Sequence, residues 1–312
     1  MKNCRPVNLL TLGGVSLAAL LLWIYQTRLV EPSDRALLKP AASISYEFHN
    51  HIHGLGYDNQ NRRLFVATHY GPFIWKEGQL FQLGENRDDF MGFSLHPSNP
   101  NIIYTSGHPK NGGNMGVMKS EDGGATFKKI FGGLGGEPVD FHSMTISPAN
   151  PKILYGWFQG KLYRTKDGGK TWEFASGRDI PQEGICFGAP CLTADSKNEG
   201  AVYAGTPSGL LVSHDFGESW TTVNANLGAV AGVGVDPSNS QRLFVFTQKL
   251  GLAYSRDKGK NWQARNNGIK LSRQEFVFAF AFDHKNSNHL FAATPEQVFR
   301  STDEGENWKK IL

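Results

Sequence analysis

One eight-residue pattern recurs five times along this chain of 312 residues and limits its fold more than any other feature. The copies begin at Ser120, Thr165, Ser213, Ser255 and Ser301. Each carries an aspartate at its third position (Asp122, Asp167, Asp215, Asp257, Asp303) and a glycine at its fifth (Gly124, Gly169, Gly217, Gly259, Gly305). Each ends on an aromatic ring: Phe127, Trp172, Trp220, Trp262 or Trp308. The aspartates are 45, 48, 42 and 46 residues apart. A β-rich run such as ILYGWF, AVYAGT, RLFVFT or HLFAAT precedes four of the copies, and RLFVATHYGPFIWKEGQLFQLG at the front has the same strands without the octapeptide. Self-similarity at a fixed period is the mark of a repeat architecture. Six units of about 45 residues account for 43–312. Within each octapeptide the aspartate can accept backbone N–H bonds, the glycine can take positive φ, and the ring can bury between strands. These aspartates therefore read as turn formers, not as catalytic groups.

The pattern S/T-x-D-x-G-x-T/S-W/F resembles the Asp-box family, also called bacterial neuraminidase repeats. The resemblance covers nearly all of 43–312 and implies an all-β, six-bladed β-propeller, with four strands per blade. The stretches HIHGLG, THYG, GHP and DFH are similar to those of a smaller set of exported bacterial Asp-box proteins usually labelled glycosylhydrolases. That label implies carbohydrate cleavage, but a fold does not carry a function with it.

Ahead of the repeats, Lys2 and Arg5 precede an apolar stretch without charge from Val7 to Tyr25. It is long enough to cross a hydrocarbon core of about 30 Å. Positive residues at its start predict residues 1–6 in the cytoplasm, 7–25 as an uncleaved transmembrane signal anchor, 26–42 as a tether, and the propeller outside the cytoplasm. No small-residue cleavage site follows the apolar core. The net charge of +4 comes mainly from this front segment: residues 1–42 hold five Lys/Arg against two Asp/Glu. The body is nearly neutral, which argues against nucleic-acid binding.

Four strands per unit, named A to D from the axis outward, place each residue at one end of the ring. The starts of A and the ends of B share one end, here called the top; the octapeptides at the C–D turns share the other. His51 and His53 open strand A of the first unit, and His69 closes its strand B. Asp88 and Asp89 open strand A of the second unit, and His108 closes its strand B. Asp140 and His142 open strand A of the third. Imidazole with carboxylate suits general acid–base work near neutral pH, and it equally suits a divalent transition metal. Three readings stay open: a hydrogen-bonded polar mouth; a ligand site at His51, His53, His69, His108 and His142, or a catalytic one with Asp88, Asp89 and Asp140; and a metal site at His53, His69, His108 and His142. His96 is placed at the bottom; His214, His284 and His289 read as surface residues.

A sialidase needs three arginines, a Tyr–Glu pair and an acid aspartate. The family's F/Y-R-I-P motif has only a garbled counterpart, Arg178-Asp179-Ile180-Pro181. Arg87, Arg178 and Arg273 fall in loops at the top. A general glycosidase needs two carboxyl groups, for which Asp88, Asp89, Asp140 and Glu183 are candidates. Cys186 and Cys191 read as a local disulfide in an oxidising exterior. Two function classes follow. The first, given precedence, is a protein- or glycan-binding or assembly module. It is similar at fold level to Asp-box propellers that act as sorting receptors or photosystem assembly factors. The second is a glycoside hydrolase using the top carboxylates and histidines. Expected partners are a protein or carbohydrate ligand and, through the front helix, the membrane, with no nucleic acid and no second copy of the chain.

Overall fold

The computed structural model of the chain describes residues 38–40, 51–175, 180, 184, 186, 188–224 and 226–312. The apolar segment 7–25, most of the 26–42 tether, Arg178 and Glu183 lie outside these residues. Among the described residues no helix is long and apolar enough to cross a membrane.

Six antiparallel sheets follow one another, each in the simple order A-B-C-D. Blade 1 is Ile52–Asp58, Arg63–Thr68, Gly71–Lys76 and Gln79–Leu83, with Leu38–Pro40 added outside its fourth strand. Blade 2 is Asp89–Leu95, Ile103–His108, Val117–Ser120 and Lys128–Phe131. Blade 3 is Ser143–Ile146, Leu154–Phe158, Lys161–Thr165 and Glu173–Phe174. Blades 4, 5 and 6 have inner strands Cys191–Ala194, Val230–Val235 and Ala279–Phe282. Each inner strand touches those of its two neighbours, and the inner strand of blade 6 touches that of blade 1. The chain is an all-β, six-bladed β-propeller.

The middle strands are buried on both faces, as a packed blade requires: Arg63–Thr68, Val202–Thr206 and Leu290–Ala293 are buried throughout. Blades meet through apolar side chains with almost no exposed ring among them. Close approach near the axis depends on small residues. A Cβ on Gly92 would lie 2.3 Å from the Phe141 carbonyl oxygen, so blade 3 could not sit where it does beside any larger residue.

The ring closes without an exchanged strand. Strand Lys309–Lys310 completes blade 6 from its own residues, and blade 1 is joined to blade 6 by local contacts. The backbone N–H groups of His51 and Ile52 donate to the Pro295 carbonyl at 3.1 and 2.8 Å. Asn59 bridges to Asp283 and accepts from the His284 N–H at 3.2 Å, and Tyr57 packs on Phe291 with ring centroids 5.2 Å apart.

The five octapeptides build one repeated turn. In the fourth blade, Gly217 N–H donates to Ser213 Oγ at 2.8 Å, Ser213 Oγ–H to Asp215 Oδ1 at 2.7 Å, Ser219 N–H to Asp215 Oδ1 at 2.9 Å and Ser219 Oγ–H to Asp215 Oδ2 at 2.6 Å. The same set recurs around Asp122, Asp167, Asp257 and Asp303, with Asn261 and Asn307 replacing the hydroxyl in the last two. Trp172, Trp220 and Trp308 are buried beneath these turns.

This bonding sets the turns' response to acid. Hydrogen bonds from the Ser219 side chain and backbone hold Asp215 down at about 2, and those from Asn261 hold Asp257 at about 2. At Asp167 partial burial opposes ionisation, but the bonds from Thr171 outweigh it and hold the group at about 2. A carboxyl whose folded pKa lies below its ordinary 3.8 contributes stability above that value and loses it as pH falls through the folded value. The thermal midpoint is therefore expected to be flat near neutrality and to fall between about pH 4 and pH 2. Calorimetry across that range checks this, and a midpoint unchanged at pH 2 would show that the turns do not depend on their carboxylates.

Candidate functional site

Three inner-strand entrances, in blades 1 to 3, deliver the polar groups to one end of the ring. In blade 1 the register runs from Ile52 opposite Thr68 directly to Gly54 opposite Ala67, so His53 is the extra residue of a β-bulge. Bulges re-aim side chains, and this one buries His53 at 7% exposure. His51, just before the strand, holds φ at 109°, a rare value for a residue with a side chain, and its carbonyl accepts from the His69 N–H at 3.2 Å. Thr68 Oγ accepts from the Tyr70 N–H and donates to the Gly71 carbonyl, shaping the turn that presents His69. Blade 2 places Asp89 opposite His108 in the ladder.

Two triads result. In the first, His53 Nε2 lies 2.8 Å from His69 Nδ1 and 3.3 Å from Asp89 Oδ1, and His69 Nδ1 is 3.0 Å from the same oxygen. Asp89 Oδ1 is a buried atom with these two ring nitrogens beside it. In the second, Asp140 Oδ2 lies 2.6 Å from His142 Nε2 and 3.1 Å from His108 Nε2. Asp140 Oδ1 is likewise buried and carries no hydrogen bond among the described residues. His108 Nδ1 is 3.0 Å from the Gly113 carbonyl, which can only accept, so Nδ1 carries a proton and Nε2 is the nitrogen turned to Asp140.

Burial shifts these groups towards their neutral forms. His53 is pushed down to about 3, first by burial and then by His69, His51, His142 and His108. His51 is lowered by burial and by His69. Asp89 is raised, chiefly by burial and further by Asp140, against the opposing pull of His69 and His108. The two carboxyl groups therefore sense one another across the blade 2–blade 3 boundary. His53 and His142 also line the axial channel, a cavity of about 210 Å³ that runs to His96 and His284 at the other end.

The structure brings His53, His69, Asp89, His108, Asp140 and His142 together. It leaves Asp88 out: its Oδ1 accepts from the Lys110 N–H at 2.9 Å and its Oδ2 from Asn86 Nδ2 at 3.0 Å, so it braces the loops beside the site. His51 stacks its ring against His69, with centroids 4.5 Å apart, but joins neither triad. Asp140 and His142 precede their strand rather than opening it, because the first ladder pair is Ser143 with Trp157. Phe141 between them enters the core, and its N–H is held by Ser106 Oγ at 2.9 Å. A disulfide joins Cys186 and Cys191, with Cα atoms 5.4 Å apart; both line the channel.

Two histidines expected at the surface are placed otherwise. His289 is buried at 8% exposure, accepting from Arg300 Nε at 2.8 Å and facing Asp283 and Tyr57. His284 is partly buried at the far end of the channel, its pKa lowered by burial. Arg87 is spent on the Asn86 and Gly84 carbonyls and Arg273 is exposed, so neither forms part of an arginine cluster.

A residue missed from sequence is Gly107, beside His108. Its φ is +148°, and a Cβ there would lie 2.1 Å from the Asp89 carbonyl oxygen and 2.9 Å from the Met91 nitrogen. Gly107→Ala must displace the backbone that carries Asp89. We expect about 1–3 kcal/mol of destabilisation, measured by thermal unfolding. A variant as stable as the parent would show that this contact is not restrictive.

Comparisons with known proteins bear on what such a site does. The family model described as Sortilin, neurotensin receptor 3 (Sortilin-Vps10) matches residues 208–312. An oligoxyloglucan-reducing end-specific xyloglucanase of Emericella nidulans is 31% identical over 231 residues, 64% of this chain and 28% of that one. Xyloglucanase Xgh74A of Acetivibrio thermocellus is 22% identical over 274 residues, 81% of this chain and 24% of that one. The chain thus spans about a quarter of the length of these curated relatives. Among solved structures, the GH74 enzyme of Niastella koreensis superposes with a TM-score of 0.55 at 17% identity, covering 83% of this chain and 54% of that one. YCF48 from Cyanidioschyzon merolae gives 0.51 at 13% identity over 88% of each chain. These structures share the propeller fold. The precedence given above to a binding or assembly module is corrected by the curated relatives, which are xyloglucanases and so favour the hydrolase class.

Proposed function

We propose that this chain is an Asp-box propeller that hydrolyses glycosidic bonds at its top mouth, on a neutral glucan of the xyloglucan type. One observation carries the reading. Two carboxyl groups, Asp89 and Asp140, stand on adjacent blades at the mouth, Asp140 buried and Asp89 partly so, each flanked by two imidazoles. A glycosidase needs such a pair, one group to protonate the departing oxygen and one to activate water or attack the sugar. Asp89 has the environment of the proton donor, since burial favours its protonated form. Asp140, between His108 and His142, has that of the base. The curated relatives support the substrate class.

The same reading places residues 7–25 in the membrane as an anchor, with the propeller on the extracytoplasmic side. The disulfide between Cys186 and Cys191 supports an oxidising exterior.

The test is release of reducing ends from xyloglucan, mixed-linkage glucan and cello-oligosaccharides by the full chain. Turnover on at least one, lost in Asp140→Asn, is the expected result. No cleavage of any of the three overturns the reading.

A further inference from the structure

The donor atoms of the two triads are spaced as ligands of a common ion would be. A divalent transition metal held about 2.0–2.1 Å from imidazole nitrogen and carboxylate oxygen, with tetrahedral or octahedral angles, sets its ligand atoms about 2.9–3.4 Å apart. In the first triad the three separations are 2.8, 3.0 and 3.3 Å. In the second, His108 Nε2 lies 3.1 Å from Asp140 Oδ2 and all three donors lie within 4.8 Å of one another, while the 2.6 Å between His142 Nε2 and that oxygen is a hydrogen bond that a bound ion would open. From these positions we infer that the mouth holds two divalent transition-metal ions, one on His53 Nε2, His69 Nδ1 and Asp89 Oδ1, the other on His108 Nε2, His142 Nε2 and Asp140 Oδ2.

A purely hydrogen-bonded mouth accounts for these atoms less well. Two ring nitrogens lie 3.0 and 3.3 Å from Asp89 Oδ1 and 2.8 Å from each other, so three donor atoms converge on one point. Two close imidazole nitrogens can share a single proton, which leaves the carboxylate oxygen unserved in a buried place. One cation accepts lone pairs from all three. The outer contacts agree with this. His108 gives its other ring proton to the Gly113 carbonyl, the arrangement that fixes the tautomer and orientation of a ligating histidine.

Ligand chemistry narrows the metal. Two imidazoles and one carboxylate suit zinc, iron(II), cobalt or nickel, and disfavour calcium and magnesium, which take oxygen donors. Three protein ligands among the described residues leave further positions for water or substrate, as in catalytic rather than structural sites. The two centres are neighbours, because Asp89 of the first and His108 of the second are opposite residues of one antiparallel pair, with Cα atoms about 4.5–5.5 Å apart. Side by side, two such ions could polarise one substrate oxygen from both sides.

The inference does not need glycoside hydrolysis, and it gives the same carboxyl groups another role: a metal-bound carboxylate is ionised, so an occupied first centre could not use Asp89 as the proton donor. The experiment strips the full chain with a chelator, then titrates Zn²⁺ by calorimetry and counts bound metal by elemental analysis. Two equivalents are expected in the parent. His69→Ala and His108→Ala, both at half-exposed side chains and so least disturbing to the fold, are each expected to leave one equivalent, and the double variant none. Thermal unfolding of the stripped variants confirms that each is folded. No stoichiometric zinc in the parent, or two equivalents that survive both substitutions, overturns the proposal; one equivalent in the parent overturns the paired centre. Glucan cleavage by protein that binds no metal leaves the hydrolase reading standing alone, and metal binding without cleavage leaves only the metal centres.

Discussion

Asp140→Asn is expected to lower turnover on xyloglucan oligosaccharides by about 10²- to 10⁴-fold, the range a positioned acid or base contributes. The substitution keeps the volume of a side chain that is 5% exposed and removes its basic oxygen beside His142 and His108. KM should change little, because the lost interaction belongs to the reacting proton and not to ground-state binding. Asp89→Asn should have an effect of the same order, since an amide cannot return a proton to the leaving oxygen. Asp88→Asn is the control. One residue away in sequence, it is tied to Lys110 and Asn86 outside both triads, and a loss of less than about threefold is expected. Equal losses at Asp88 and Asp140, or none at Asp140, would remove the carboxyl pair from the chemistry.

The second large effect concerns stability. Phe141 is fully buried between Asp140 and His142, and its ring packs 4.6 Å from that of Trp172 in the third blade's octapeptide turn. The backbone reverses face between two site residues and inserts this ring, so packing beneath the mouth orients the groups above it. Phe141→Ala should cost about 3–5 kcal/mol, the usual range for truncating a buried aromatic ring. For a chain of this size that lowers the thermal midpoint by roughly 10 °C. Phe141→Leu, which keeps most of the apolar volume, should recover more than half of the loss. A fall of only a degree or two in Phe141→Ala would mean that the blade boundary relaxes around the gap.

The fold was readable because its signals are local. Each octapeptide closes its own turn with bonds between residues four apart or fewer, so their spacing marked five blades, the strand run at the front added the sixth, and together they fixed which end each strand faces. That was enough to bring His69 and His108, both at strand B ends, to the same rim. The site's finer geometry depends on features without a local signature. The bulge that seats His53 arises where Ile52 and Gly54 pair with consecutive residues of the next strand. Asp88 and Asp89 are the same residue type in adjacent positions, and only ladder register separates the loop brace from the site carboxylate. His289 is buried by Tyr57, which comes from the opposite end of the described chain. Function was less legible still: histidines and aspartates at a propeller mouth suit gripping and cutting alike, and the xyloglucanase relatives, not the residues, reversed the order of the two readings.

The junction between the first and last blades has a consequence for how this molecule fails under heat. Among the described residues no strand is laced across it; it is held by amide bonds to Pro295, the Asn59–Asp283 link and side-chain packing, with Tyr57 and Trp75 against Phe291 and Ile52, Val66 and Phe73 in one buried cluster with Phe278 and Ala293. Opening of such a joint costs less than melting the whole disc. His51 and Ile52 lie on the joint itself, and His53 is the next residue. A crack there would pull the first imidazole away from its partners while every sheet stayed intact, so inactivation should set in some degrees below collapse. A covalent staple across that gap would raise the working temperature more than the melting temperature.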